Sequence, residues 1–275
     1  MSERVTGGPV RCRVRIGSLT VGLAGDPLPA VLGALDRVRL GLGAHTDAVL
    51  DVRTVPVPDW VAGQSGCGPP GYWVTRPGHV ITAVPAERRI RLRVLDRSGD
   101  ETLRYWLQRD LFAALGSLSG EVLLHGSAVI RDGRGYVFCA ESGVGKSTVA
   151  RMLAAHAEVV NDETNWVCLS SGQDPVLVNQ PYWFGPAQTR ATVPVAAVFL
   201  LRRAEPGNPC RRSPVPAAAA FAGLLSVHLP FDARDPFLPA RARALVALVT
   251  RGCCERLEFR LDPEELEEVA YADDA

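Results

Sequence analysis

Residues 140–148 read "AESGVGKST" and lie between an apolar run, "GYVFC", and a helix-forming run, "VARMLAAHA". They hold Lys146, the only lysine in a 275-residue chain with 30 basic residues. A glycine-rich turn that leaves a buried strand and enters a helix restricts the fold to an α/β arrangement, with the helix packed back on the sheet. The backbone N–H groups of such a turn converge on one point, and the helix N-terminus adds unpaired donors and the positive end of its dipole. That geometry suits a phosphate.

The side chains fit the same purpose. Gly143 and Gly145 permit torsions and close approach that a Cβ would forbid. Lys146 supplies a compact, mobile charge to the β- and γ-phosphates, where the rigid fork of arginine fits less well. Ser147 offers a hydroxyl to Mg²⁺, and Ser142, Val144 and Thr148 complete the stretch expected to line a nucleotide. The spacing Ala-x-x-x-x-Gly-Lys-Ser is that of the Walker A motif or P-loop, with Ala140 where glycine is more usual. ATP with Mg²⁺ is the expected cofactor pair.

Composition removes other classes. The formal net charge is zero, so the chain has no electrostatic reason to seek nucleic acid or an anionic membrane. Its arginine clusters "RCRVR", "ERRIRLR" and "RARAR" recur at alternating or helical spacing and read as solvated faces. No apolar run reaches the length of about 18 residues that would mark a membrane span. The N-terminal "MSERVTGGPV" lacks the basic-then-apolar order of a signal peptide, so a cytoplasmic location is the expectation. Seven cysteines, none in a C-x-x-C pair, argue against a disulfide framework and against structural zinc. Adjacent Cys253 and Cys254 read as small residues at a helix end.

The chain changes character along its length. Residues 10–95 alternate apolar and polar positions in short pieces, so residues 1–99 read as a small β-rich module of antiparallel strands and hairpins. Within it, "LPAVLGALDRVRLG" (28–41) is expected to be a helix and "AGQSGCGPPG" (62–71) an exposed loop. From residue 100 a helix begins, because Leu103, Trp106, Leu107, Leu111 and Leu115 share one face. Residues 100–275 form the expected P-loop domain: strand "EVLLHGSAVI", a turn at "RDGRG", strand "YVFCA", the P-loop and its helix, with Val149, Met152 and Leu153 facing inward. "VPAAAAFAGLLSVHL" and "ARARALVALVTRG" read as helices covering the sheet. "LDPEELEEV" is a helix start, with Asp262 as N-cap, Pro263 at N1 and Glu265 at N3.

A second chemical feature follows the P-loop helix. In "EVVNDETNWV" (158–167), Asp162 and Glu163 stand just past a short strand, where an acidic pair can return beside bound phosphates. One carboxylate can hold Mg²⁺ and the other can take a proton from an attacking hydroxyl. Asn-Asp-Glu-Thr is also good turn chemistry in its own right.

The stretch "LLHGSAVIRDGRGYVFCAESGVGKSTVARML" followed by "VVNDE" resembles the C-terminal catalytic domain of HPr kinase/phosphorylase. It resembles more closely the diverse HPr-kinase-related proteins found in biosynthetic clusters. His125, Ser142, Gly143, Gly145, Lys146, Ser147, Asp162 and Glu163 match that family's pattern position by position. The resemblance is strong over 103–170 and continues weakly through "PVAAVFLLRR" and "ERLEFRLDPEEL". It implies a kinase using ATP and Mg²⁺, with Asp162, Lys146 and His125 catalytic and with Ser147 and Glu163 at the metal. His125 is implied to orient Asp162 or to contact the γ-phosphate. Known relatives phosphorylate a serine of a protein or precursor peptide, which makes a peptide or protein Ser/Thr the leading acceptor.

The departures bear on the acceptor. The family's Asp-Asp pair is Asp162-Glu163 here, and its "E-x-R-G-x-G-I" segment has no counterpart. "NQPYWFGPAQTR" (179–190) stands in its place, so a bifunctional HPr enzyme is not expected. A small-molecule hydroxyl and a non-catalytic ATP sensor remain open alternatives. Nothing in the sequence decides between a monomer and a homo-oligomer. A further cation for the transferring phosphoryl group must be an arginine or a metal. Arg190 is the first choice, with Arg202 and Arg203 next. Trp183, with Tyr182 and Phe184, either lines an acceptor or adenine pocket or packs as core.

Overall fold

A computed structural model describes residues 12–16, 19–25, 39–40, 48–55, 65–68, 71–76, 79–84, 87–95, 101–119, 121–169, 174–178, 192–228 and 238–272. Arg190, Trp183, the rest of 179–190 and residues 28–38 of the expected N-terminal helix lie outside these. The chain divides into two compact units, with the main break between Gly120 and Glu121.

The first unit holds a sheet of eight strands: β1 (Cys12–Ile16), β2 (Leu19–Gly25), β3 (Arg39–Leu40), β4 (Ala48–Val55), β5 (Ser65–Gly68), β6 (Gly71–Arg76), β7 (His79–Val84) and β8 (Arg89–Leu95). Their order is β3-β1-β2-β4-β8-β7-β6-β5. Hairpins β1–β2, β5–β6, β6–β7 and β7–β8 are antiparallel, as alternation suggests. The pairs β2–β4 and β4–β8, however, are parallel. Each joins strands separated by a long connection, which parallel pairing requires. Two further expectations are corrected here. Arg39 and Leu40, placed in a helix, form a strand against β1. Ser65–Gly68, placed in a loop, pairs with β6; glycines that read as loop are here strand residues.

Helix α1 (Glu101–Ser119) buries Leu107, Leu111, Phe112 and Leu115. It packs on β7, where buried His79 Nε2 and Asp110 Oδ2 approach to 3.0 Å. By these contacts α1 belongs to the first unit, so the break lies one helix later than the boundary expected near residue 100.

The second unit contains β9 (Val122–Arg131), β10 (Arg134–Cys139), α2 (Lys146–Leu153), β11 (Glu158–Asn161), β12 (Thr164–Cys168), β13 (Val176–Val178), β14 (Thr192–Arg203), β15 (Arg211–Pro214), α3 (Ala217–Val227), α4 (Leu238–Thr250), β16 (Cys254–Phe259) and α5 (Pro263–Ala270). Strands run β10-β9-β12-β13-β14-β16-β15, β11 adds to β9, and β10 also pairs with β14. The sheet is mixed: β10, β14 and β16 are mutually parallel, while β9, β12 and β13 are antiparallel to their neighbours. Strands buried on both faces read as continuous apolar runs, and "YVFC" and "AAVFLL" are such runs. Val137 and Cys139 face a core with α3 and α4. Tyr136 and Phe138 face the opposite core, with Val149 and Leu153 of α2 and Leu266 of α5.

Local chemistry sets the connections. Asp132 and Gly133 both have positive φ, 49° and 75°, as the type I′ turn of a two-residue hairpin demands. The Asp262 carboxylate accepts from the Glu265 N–H, and Pro263 opens α5. Cys254, expected at a helix end, is the first residue of β16. Among the described residues no helix is long and apolar enough to cross a membrane.

One buried group makes stability pH-dependent. His228 Nδ1–H donates to the Leu123 carbonyl at 2.9 Å, leaving Nε2 as an acceptor 3.5 Å from Arg241 Nη1. Burial, reinforced by the Arg241 cation, pushes the His228 pKa down to about 4 from an ordinary 6.5. Between these values the unfolded chain takes up a proton that the folded chain refuses. The folded state is therefore fully favoured above the unfolded value and loses stability as pH falls through the window. The loss from this residue should reach about 2–3 kcal/mol by pH ~4.5. Urea unfolding of wild type and His228→Gln at several pH values checks it. Wild type should lose that much more than the variant on acidification, and parallel curves would refute the assignment.

Candidate functional site

The loop 140–145 joins the C-terminal end of β10 to α2. Gly145 is the N-cap residue of α2, with φ 124°, no side-chain cap and no acidic residue in the first turn. Among the described residues, no group accepts a hydrogen bond from the N–H groups of residues 145–148. Their donors are thus available to an anion. Ser142 and Gly143 are exposed, and Val144, Gly145, Ser147 and Thr148 are half-buried.

Lys146 is only 7% exposed. Its Nζ donates to the carbonyls of Ala140 at 3.0 Å and Glu141 at 3.1 Å, so the ammonium closes the loop on itself. Burial pushes the Lys146 pKa below its ordinary value, and the Glu163 carboxylate opposes that shift. Beneath the loop, burial pushes the Cys139 thiol up to about 12, against the pull of Lys146. Cys139 is therefore a packing residue and not a nucleophile.

The acidic turn follows β11. Asn161 Oδ1 accepts from the N–H of Glu163 at 2.7 Å and of Thr164 at 3.0 Å. This side chain builds the reversal and leaves Asp162 exposed at its tip. Asn and Asp favour turns through such bonds to nearby backbone.

Strand β9 ties the two parts together. Ser127 Oγ donates to the Lys146 carbonyl at 2.8 Å. Next to it, the Gly126 N–H donates to the Glu163 carbonyl at 3.2 Å. His125 Nδ1 meets that carbonyl at 2.9 Å and lies 3.6 Å from Glu163 Oε2. Asn165 Nδ2 donates back to the Gly126 carbonyl at 2.6 Å. A Cβ on Gly126 would stand 2.7 Å from the Phe138 carbonyl oxygen, so only glycine lets β9 and β10 approach this closely. The tripeptide His125-Gly126-Ser127 thereby holds the glycine-rich loop and the acidic turn side by side.

Of the residues read from the sequence, the structure gathers Lys146, Glu163 and His125. His125, which the resemblance implied would orient Asp162 or contact the γ-phosphate, here engages Glu163 through its carbonyl and its carboxylate. Ser127, Asn161 and Asn165 were missed. A signal existed, since each is a polar residue within or beside an apolar strand and each is buried; a buried polar side chain is the informative exception. Arg203 Nε donates to the Val144 carbonyl at 3.1 Å. The second-choice arginine is therefore the one seen at the loop, while Arg190 lies outside the described residues.

No family model and no curated protein matches the chain. Among solved structures it is similar to the HPr(Ser) kinase/phosphatase from Coxiella burnetii, at 14% identity and a TM-score of 0.24. That likeness covers 47% of this chain and 88% of that one.

Proposed function

We propose that the chain is an ATP-dependent phosphotransferase that moves the γ-phosphoryl group to a hydroxyl, with Ser or Thr of a peptide or protein as the acceptor. The observation that carries the reading is the linkage through β9. Ser127 holds the Lys146 end of an uncapped P-loop, and Gly126 and His125 hold Glu163. A phosphate cradle, a cation and carboxylates are the parts that phosphoryl transfer requires. The acceptor class comes from the resemblance of the sequence motifs.

The backbone of residues 142–148 would cradle the phosphates and Lys146 would reach the β- and γ-phosphates. Asp162 would take the proton of the attacking hydroxyl as its oxygen bonds to the γ-phosphorus and the bond to ADP breaks. Among the described residues no group of His, Cys, Asp and Glu could hold a metal alone. Mg²⁺ is ordinarily held by one or two carboxylates together with substrate phosphates. The Ser147 hydroxyl and the Glu163 carboxylate are oxygen donors of that kind and would hold it. Bound there, Mg²⁺ would neutralise charge on the transferring group.

The test is transfer of label. Purified protein, [γ-³²P]ATP, Mg²⁺ and a lysate of the source organism are incubated, and protein, peptide and small-molecule fractions are resolved. Label should enter the protein or peptide fraction as phosphoserine or phosphothreonine. Label confined to small molecules would replace the acceptor class, and none in any fraction would overturn the kinase reading.

A further inference from the structure

Arg203 and Phe259 end the parallel strands β14 and β16 and are register partners. Both side chains reach the P-loop from these strand ends. The Phe259 ring stands where Gly145 would carry a Cβ, with Cζ 2.8 Å from that position and Arg203 Nη2 3.8 Å from it. The Arg203 Nε–H holds the Val144 carbonyl at 3.1 Å. Gly145, at φ 124°, is thus confined on one side by an aromatic ring, in a torsion that side chains disfavour.

The peptide plane supplies the consequence. In a trans peptide the C=O and N–H of one unit are coplanar and point in opposite directions. The Val144 carbonyl and the Gly145 N–H belong to one such unit. A carbonyl held toward Arg203 therefore turns the Gly145 N–H away from the guanidinium. Among the described residues nothing accepts from that N–H.

We propose that Arg203 is a positioning residue, which sets the Val144–Gly145 peptide so that the Gly145 N–H is presented to a nucleotide phosphate. The inference rests on the nucleotide reading above and adds the device that orients the loop. Arg202 is the natural comparison. It carries the same charge one residue earlier, but its guanidinium lies toward Glu205 and Glu258, each at 3.9 Å. Loss of charge near the phosphates and loss of the clamp are therefore separable.

The experiment uses full-length protein with ¹⁵N-labelled glycine. It follows the Gly145 amide by NMR, first without ligand and then during titration with MgATP, for wild type, Arg203→Ala and Arg202→Ala. Thermal unfolding of each confirms the fold. Arg203→Ala should shift the Gly145 amide in the ligand-free protein, weaken ATP binding about tenfold and diminish the ATP-induced change at that amide. Arg202→Ala should stay within about twofold of wild type, as an exposed charge in weak pairs should. Equal weakening by both variants, or an unaltered Gly145 amide in Arg203→Ala, would overturn the clamp. Wild type that binds no MgATP would instead remove the nucleotide reading and with it the phosphate role of the clamp, while the ligand-free spectra still decide whether Arg203 orients the peptide.

Discussion

Lys146→Ala is expected to lower the rate of phosphoryl transfer by about two to three orders of magnitude and to weaken ATP binding by about tenfold or more. The ammonium is buried and already donates to the carbonyls of Ala140 and Glu141. A phosphate arriving in the loop offers anionic oxygens in place of those neutral acceptors, and charge-assisted hydrogen bonds are roughly twice as strong as neutral ones. Removing Nζ deletes that exchange and also opens the loop at its base. Lys146→Arg is the sharper control. It keeps the charge, but a planar fork does not fit a slot that leaves the native residue 7% exposed. It should be nearly as defective as alanine. Calorimetric titration with MgATP and single-turnover transfer separate the two effects. Native affinity in either variant would place the nucleotide elsewhere.

Much of the fold around this lysine was legible, because the motif itself specifies its surroundings. A loop of that composition needs a strand before it and a helix after it, and β10 and α2 are both there. Asp132-Gly133 announced a tight hairpin and Asp262-Pro263 a helix start, since in each case the residue type is demanded by a backbone torsion or an unpaired N–H. Partnership between distant strands was not legible. Alternation shows which face of a strand is buried but not which strand lies beside it, so the parallel pairs β2–β4 and β4–β8 could not be read. The same limit hid the attachment of α1 to β7. Its apolar face is plain in the sequence, but the surface that covers that face is a matter of tertiary structure.

The candidate site divides along the same line. Groups with a chemical signature could be named as candidates from the sequence: Lys146, Ser147, Asp162, Glu163 and His125. Groups that act by holding others could not. Ser127 matters because the Lys146 carbonyl lies 2.8 Å away, and Asn161 because it accepts from two N–H groups of the acidic turn. The Asn161 bonds are local and are turn chemistry of the kind the sequence already suggested, whereas the Ser127 contact depends on how β9 lies in the sheet, which no local window of sequence contains. The contact of His125 with Glu163 was hidden for that reason. Pairing of Thr164 with His125 puts the preceding residue, Glu163, against the imidazole, whereas the resemblance implied that His125 orients Asp162 or contacts the γ-phosphate.

Asp162→Asn should separate chemistry from binding. The rate is expected to fall by about two to four orders of magnitude, with ATP affinity changed less than about threefold. The turn does not depend on this carboxylate: Asn161 Oδ1 builds it through Glu163 and Thr164, and Asp162 stands exposed at the tip. The substitution is nearly isosteric, so it removes a proton acceptor and little else. Glu163→Gln should behave differently. It removes the proposed oxygen ligand, and the charge that opposes the burial shift on Lys146, so a higher Mg²⁺ concentration should be needed for half-maximal transfer. Single-turnover rates across a Mg²⁺ series distinguish the two. Transfer by Asp162→Asn at the wild-type rate would strip Asp162 of the base role. Should wild type bind ATP as tightly as Asp162→Asn and transfer nothing, the exposed carboxylate would be only a turn residue. The loop, Lys146 and Arg203 would then serve a protein that binds ATP without spending it, because binding needs the cradle alone whereas transfer also needs a base positioned at the acceptor.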